Sequence, residues 1–306
     1  MSIKNNIYKT LLIILFAFVS GVVEAAANRY WVATGSGDKM WHDNANWSTT
    51  SGGPGGATAP VVGSLVAVFD GNSTVDAKLG ANVWRARQVK VLLAYTGTID
   101  LNGYHLAVIR NIVINGGTVA VSANSFLQTW RDLVIYSGGT VTASGVGSKI
   151  KIKNNLKIYG ELTAPGGDHT RFTLRGGFNL YSGGTFNHNN GTVTMNTRYS
   201  SPGAAINIQD GPGTGRNFYN LYKNWKKIAY LTKNIEIEND LTVNGSGQLN
   251  AKTKDITIGG DWNLDYSSNF NDGSGKVIFN GSSAQTIKSP ANFNDVQISN
   301  SDVSLS

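Results

Sequence analysis

The residues best suited to chemistry stand in GGDHTRFTLR, positions 166–175. Asp168 and His169 are the types that form an acid–base pair. Arg171 and Arg175 are the types that hold the carboxylate or sulfate of an acidic sugar. No second carboxylate or nucleophile accompanies them, so a polar loop at a turn fits the same residues. A second set points to binding. Arg110 and Arg131 lie 21 residues apart, with Trp130 beside the second. Like charges at equivalent positions repel, and a bound polyanion relieves that repulsion. The Trp130 indole would offer a face for a sugar ring. The competing reading is a solvated surface whose arginine stems cover apolar rims.

Other chemistry finds less support. His42, His105 and His188 are isolated, and there is no cysteine, so the spacing of a zinc site is missing. NFNDGSG (269–275) lacks the alternating carboxylates and closing glutamate of a calcium loop. No metal or cofactor is expected. The basic–aromatic run KNWKKIAYLTKN (223–234) reads as an exposed strand and turn.

A short repeat must position these residues. Six segments share one pattern: NIVINGGTVAV (111–121), DLVIYSGGTVTA (132–143), NLKIYGELTA (155–164), GFNLYSGGTFN (177–187), DLTVNGSGQLNA (240–251) and DWNLDYSSNFN (261–271). Each opens on Asn, Asp or Gly, continues apolar–variable–apolar, and passes through a Gly/Ser/Asn turn into another apolar strand. The second apolar position falls at Ile114, Ile135, Ile158, Leu180, Val243 and Leu264, with gaps of 21, 23, 22, 63 and 21. Period-2 alternation means strands with one buried face, and a unit recurring about every 22 residues buries that face only by stacking on its neighbours. The expected fold is all-β: a right-handed, single-stranded parallel β-helix with an N-terminal cap.

Two inward columns follow, one from Ile112 through Leu133, Leu156, Phe178 and Leu241 to Trp262, the other from Ile114 to Leu264. A turn column runs Asn111, Asp132, Asn155, Gly177, Asp240, Asp261, where side chains bond the local backbone. A longer repeat is superimposed. Segment 154–196 matches 239–280, placing Phe178 with Trp262, Phe186 with Phe270 and Val193 with Val277, each 84 apart. The insert SSPGAAINIQDGPGTGR (200–216) reads as an exposed loop.

The ends complete the expected organisation. Residues 1–25 carry Lys4, Lys9, a nine-residue apolar run at Leu11–Val19 and small residues before a cut after Ala25. That is a signal peptide, too short to span a bilayer, and no later stretch approaches membrane length. Residues 26–60 are the cap. Within them RYWVATGSGDKMWHDNANWS (29–48) concentrates Tyr30 and three of the seven tryptophans. These close the first coil, although a sugar-stacking platform uses the same residues, with Trp41 or His42 outermost. Residues 61–306 are the β-helix, with longer repeats at about 154–238 and 239–306 and a C-terminus that reads as truncated, continuing into further repeats or an anchoring domain. The formal charge of +7 falls to +6 without Lys4, Lys9 and Glu24. In an exported chain that balance favours anionic polysaccharide or envelope over nucleic acid.

The segment 29–70, with its YWV…W…NWS signature, Gly/Pro-rich loop and VAVFD, resembles the start of large secreted bacterial surface proteins built on β-helices. The segment 259–300, with GKVIFNGSSAQTI, looks like their repeats. The resemblance implies an adhesin-like or scaffold-like protein of pectin-lyase-like shape. The expectation is therefore a secreted or cell-surface, non-catalytic β-helix that binds anionic glycan along one face. The alternative is a carbohydrate-active β-helix enzyme, a lyase or hydrolase of an acidic polysaccharide, although the Asp-Asp and Gly-His-Gly strings of β-helical polygalacturonases are missing.

Overall fold

The computed structural model describes residues 26–197, 203–225, 227–266, 269–288 and 292–305; the expected signal peptide, residues 1–25, lies outside them. Each coil contributes a strand to each of three faces. One coil runs Ile112–Ile114, Thr118–Ala120 and Phe126–Thr129, and the chain then returns to the first face at Leu133–Ile135. Among the described residues, repetition gives a first face of 12 strands, a second of 7 and a third of 11, and a 4-stranded sheet takes the second face's place in the later coils. Among the described residues all pairings are parallel except one, between Ala27–Trp31 and Trp47–Ser48. The expected parallel β-helix is present.

The alternating pattern explains why these residues form it. In KIKI (149–152) and IVI (112–114) the isoleucines point inward and are fully buried, while the intervening side chains face out. Ile112, Leu133, Leu156 and Phe178 pair in register as one column. At the second-face turns, backbones come too close for side chains: a Cβ on Gly139 would collide with the Ile114 carbonyl.

The structure departs from the expected columns in three places. Leu241 and Trp262 are inward, but they stack on the third face while Phe178 stacks on the first. The coil through 203–216 is longer than its neighbours, pairing Phe178 with Ile206 and Val193 with Leu221. At the matched pairs Phe178/Trp262, Phe186/Phe270 and Val193/Val277 the second copy sits one face out of phase with the first. Second, the insert is no loop throughout. Ala204–Ile208 is a first-face strand with Ala204, Ile206 and Ile208 buried. Third, the run 223–234 is not an exposed element, because Lys223, Ala229 and Leu231 are buried.

The turn column works between coils rather than locally. Asn111 Oδ1 accepts from the Asp132 N–H, Asp132 Oδ1 from Asn155 N–H, and Asn155 Oδ1 from Gly177 N–H, at 3.2, 3.1 and 2.8 Å. The same ladder reappears one face away, where Asp240 Oδ1 accepts from the Asp261 N–H at 2.8 Å.

At the N-terminal end Trp31, Trp41 and Trp47 are fully buried. Trp47 packs edge-on against Trp31 and Trp41, at 5.1 Å in each case, and all three rings contact Phe69. Trp31 Nε1 donates to the Val75 carbonyl at 2.8 Å and Trp47 Nε1 to the Trp41 carbonyl at 2.6 Å. Trp41 therefore presents nothing to a ligand. The antiparallel strand Trp47–Ser48 ends the parallel stacking of the first face, which blunts its edge.

Candidate functional site

The outward side chains of the third face form a basic and aromatic surface. Strand Lys149–Ile152 puts Lys149 and Lys151 outward, and Lys153 follows at the corner. The next coil places Thr173 over Lys151, and the register extends this to Arg171 over Lys149 and Arg175 over Lys153. None of Lys149, Lys151, Lys153 or Arg171 forms an ion pair among the described residues. Burial pushes the Lys153 ammonium below the usual lysine range, and the nearby charges of Arg175 and Lys151 push the same way.

A β-bulge turns this surface into a cleft. In strand Gly167–Leu174 the register slips: Gly167 pairs with Gly191, but Phe172 pairs with Val193. Four residues, Asp168–Arg171, therefore stand opposite the single Thr192, and the three extra ones, Asp168–Thr170, overhang the face. Gly167 stands at φ +101°, which favours glycine. Asp168 Oδ1 accepts from the Thr170 N–H and hydroxyl at 2.8 and 2.6 Å, and Thr194 Oγ1 donates to the His169 carbonyl at 2.6 Å. The His169 ring stacks on Tyr222 at 4.8 Å. Beneath the overhang lies a cleft of about 400 Å³ walled by Lys149, Lys151, His169, Arg171 and Tyr222. A smaller hollow of about 120 Å³ shares Lys151 and Thr173 with it and adds Arg175 and Trp225.

The far end of the cleft rests on an unusual anchor. Lys223 pairs with Met195 and Val243 at an inward position and is completely buried. Its ammonium donates to the carbonyls of Asn224 and Trp225 at 2.6 and 2.9 Å. Desolvation pushes its pKa down to about 7. Trp225 is held at φ +71°, rare for a bulky residue, with its N–H on Asn224 Oδ1 at 2.7 Å and its side chain 43% exposed.

The sequence candidates divide accordingly. His169, Arg171 and Arg175 line the connected hollows. Asp168 is engaged by Thr170, whose hydrogen bonds hold its carboxyl below the usual range; at neutral pH it is a carboxylate, not a proton donor. Arg110 and Arg131 are exposed at equivalent positions on the corner between the third and first faces. Trp130, half-buried, lies under the Lys153 ammonium at 4.4 Å. Sequence reasoning missed Lys149, Lys151, Lys153, Tyr222 and Trp225. The signal for the lysines was present, because KIKIK alternates cations with buried isoleucines and so puts three lysines on one side.

The chain matches no family model, no curated protein and no solved structure.

Proposed function

We propose that this chain is an exported, non-catalytic β-helix of the cell surface or extracellular space, adhesive or scaffold-like, that binds an anionic polysaccharide on its third face. The carrying observation is the cleft itself. Lys149, Lys151 and Arg171 converge with Tyr222, and no described residue lining it bears a carboxylate. Cations that form no ion pair among the described residues can bind carboxylate or sulfate, and aromatic faces bind pyranose rings. Export rests on the signal-like residues 1–25, and the adhesin-like role on the resemblance of 29–70 and 259–300. Asp168 lacks a second carboxyl partner in the cleft, which weighs against a hydrolase built on a carboxylate pair.

The test is retention on immobilised polygalacturonate beside a neutral glucan. The expected result is retention on the polyuronate alone, released by salt, and weakened about tenfold or more in Lys151→Ala/Arg175→Ala, as for loss of two charge-assisted contacts. Absence of retention sinks the binding role. Depolymerisation of the polyuronate that disappears in His169→Ala sinks the non-catalytic one.

A further inference from the structure

The basic and aromatic surface does not stop at the cleft. Toward the N-terminal end of the same face a second hollow, of about 630 Å³, is lined by Val62, Trp84, Arg85, Arg87 and Ile109. Trp84 is 56% exposed and Val62 48%. Neither arginine forms an ion pair among the described residues. Side chains join the two hollows in an unbroken line. The Trp84 ring meets His105 edge-on at 5.0 Å, His105 meets Phe126 at 5.2 Å, and Phe126 lines the cleft beside Lys149. Four residues further along the strands, Trp130 and Lys153 meet at the corner and lead toward Arg175.

The line crosses seven strands, counting both ends, from Val83–Ala86 to Asn220–Asn224. At about 4.8 Å per coil the line is roughly 30 Å long and parallel to the solenoid axis. Asp168, turned onto Thr170, is the sole carboxylate within these seven strands. A predominantly basic surface that runs across many coils fits a linear polyanion lying along the axis better than a compact ligand across it.

We infer that the third face binds one linear acidic polysaccharide lengthwise, held at two anchor points, the cleft at Lys149–Arg175–Tyr222 and the hollow at Trp84–Arg85–Arg87. This rests on the reading that the cleft binds an acidic glycan. A chain reaching both anchors makes its second contact within one complex, at an effective concentration set by the span, so affinity rises without any new kind of contact. A chain too short to reach gains nothing.

The experiment is calorimetric titration with oligogalacturonates of graded length, followed by Trp84→Ala/Arg85→Ala/Arg87→Ala. For the wild type the apparent Kd improves about tenfold or more once the oligomer exceeds roughly 30 Å, the avidity expected of two linked sites. The triple variant loses that step and binds short oligomers at the cleft alone, with one site where the wild type titrates two. Trp84→Gln with Arg85 and Arg87 changed to Gln repeats the measurement should the alanine variant melt early. A Kd independent of length, or a triple variant weakened equally toward short and long oligomers, overturns the two-anchor arrangement and leaves the cleft reading standing. No binding at any length overturns the cleft reading itself. Tighter binding of single-stranded DNA of equal length overturns the polysaccharide as occupant.

Discussion

Two groups of tryptophans divide this molecule. Trp31, Trp41 and Trp47 occur in one short stretch and are wholly buried in a cluster that includes Phe69. Trp84 and Trp225 are isolated in sequence and 56% and 43% exposed, each beside cations at a hollow. Aromatic density, which draws attention to the first group, marks a packed end. The second group carries the surface, and its marker is a lone ring on the outward side of a strand or turn. A buried indole acts through area removed from water and through its N–H, whereas an exposed one keeps part of its ring surface open to solvent.

The largest effect should separate the groups by stability. Trp47→Ala removes edge contacts to two tryptophans and one phenylalanine, and leaves the Trp41 carbonyl without its donor. The expected loss in chemical denaturation is about 3–5 kcal/mol, the range for a buried aromatic truncated to alanine. Trp84→Ala should stay within about 0.5 kcal/mol of wild type, as for a surface substitution. Equal losses would erase the distinction between a packed end and an open face.

Lys223 sharpens the comparison, because it is a cation in an inward column while Lys149 and Lys151 are cations facing out. Its folded pKa of about 7 lies below the ordinary lysine value of 10.5. Between those values the unfolded chain binds more protons than the folded one, so this residue makes stability rise with pH. Below about pH 7 both states are protonated and the full cost of the buried charge is present. From pH 7 to pH 9 the wild type should gain on the order of 2–3 kcal/mol from this residue, at about 1.4 kcal/mol per pH unit. Lys223→Met should flatten that slope, and Lys151→Met should not. A pH-independent difference between wild type and Lys223→Met would mean that the ammonium is not desolvated.

The parallel β-helix was legible because its cause is local and repeated. Period-2 alternation at Leu241–Val243 or Ile112–Ile114 fixes which side is buried, and the recurrence fixes stacking. Phase was not legible. A motif names a strand and turn but not the face, so the longer coil ending in Leu221 moved the later copies round by one face unseen. The site was half legible for the same reason. Arg171 and Arg175 stood out in one segment, but their partners Lys149, Lys151 and Tyr222 come from neighbouring coils. The bulge that makes a cleft of them depends on a register slip between Gly167 and Phe172, which one strand's sequence does not reveal.

Between the inward and outward positions lies the corner ladder, and its smaller effect tests whether that boundary is structural. Asn155 Oδ1 accepts from the N–H of buried Gly177 at 2.8 Å, one coil on. Asn155→Ala leaves that N–H buried without this acceptor, and the loss should be about 1–2 kcal/mol. Asn155→Asp keeps an oxygen at the same place. It should hold stability within about 0.5 kcal/mol of wild type, because Asp240 already fills the equivalent rung for Asp261. Retention on polygalacturonate should be unchanged in both variants, since Asn155 lines neither hollow of the cleft. If Asp fails where Asn succeeds, the rung depends on the neutral amide, and repulsion from Asp132 on the adjoining rung becomes the reason these corners alternate between Asn and Asp in the early coils.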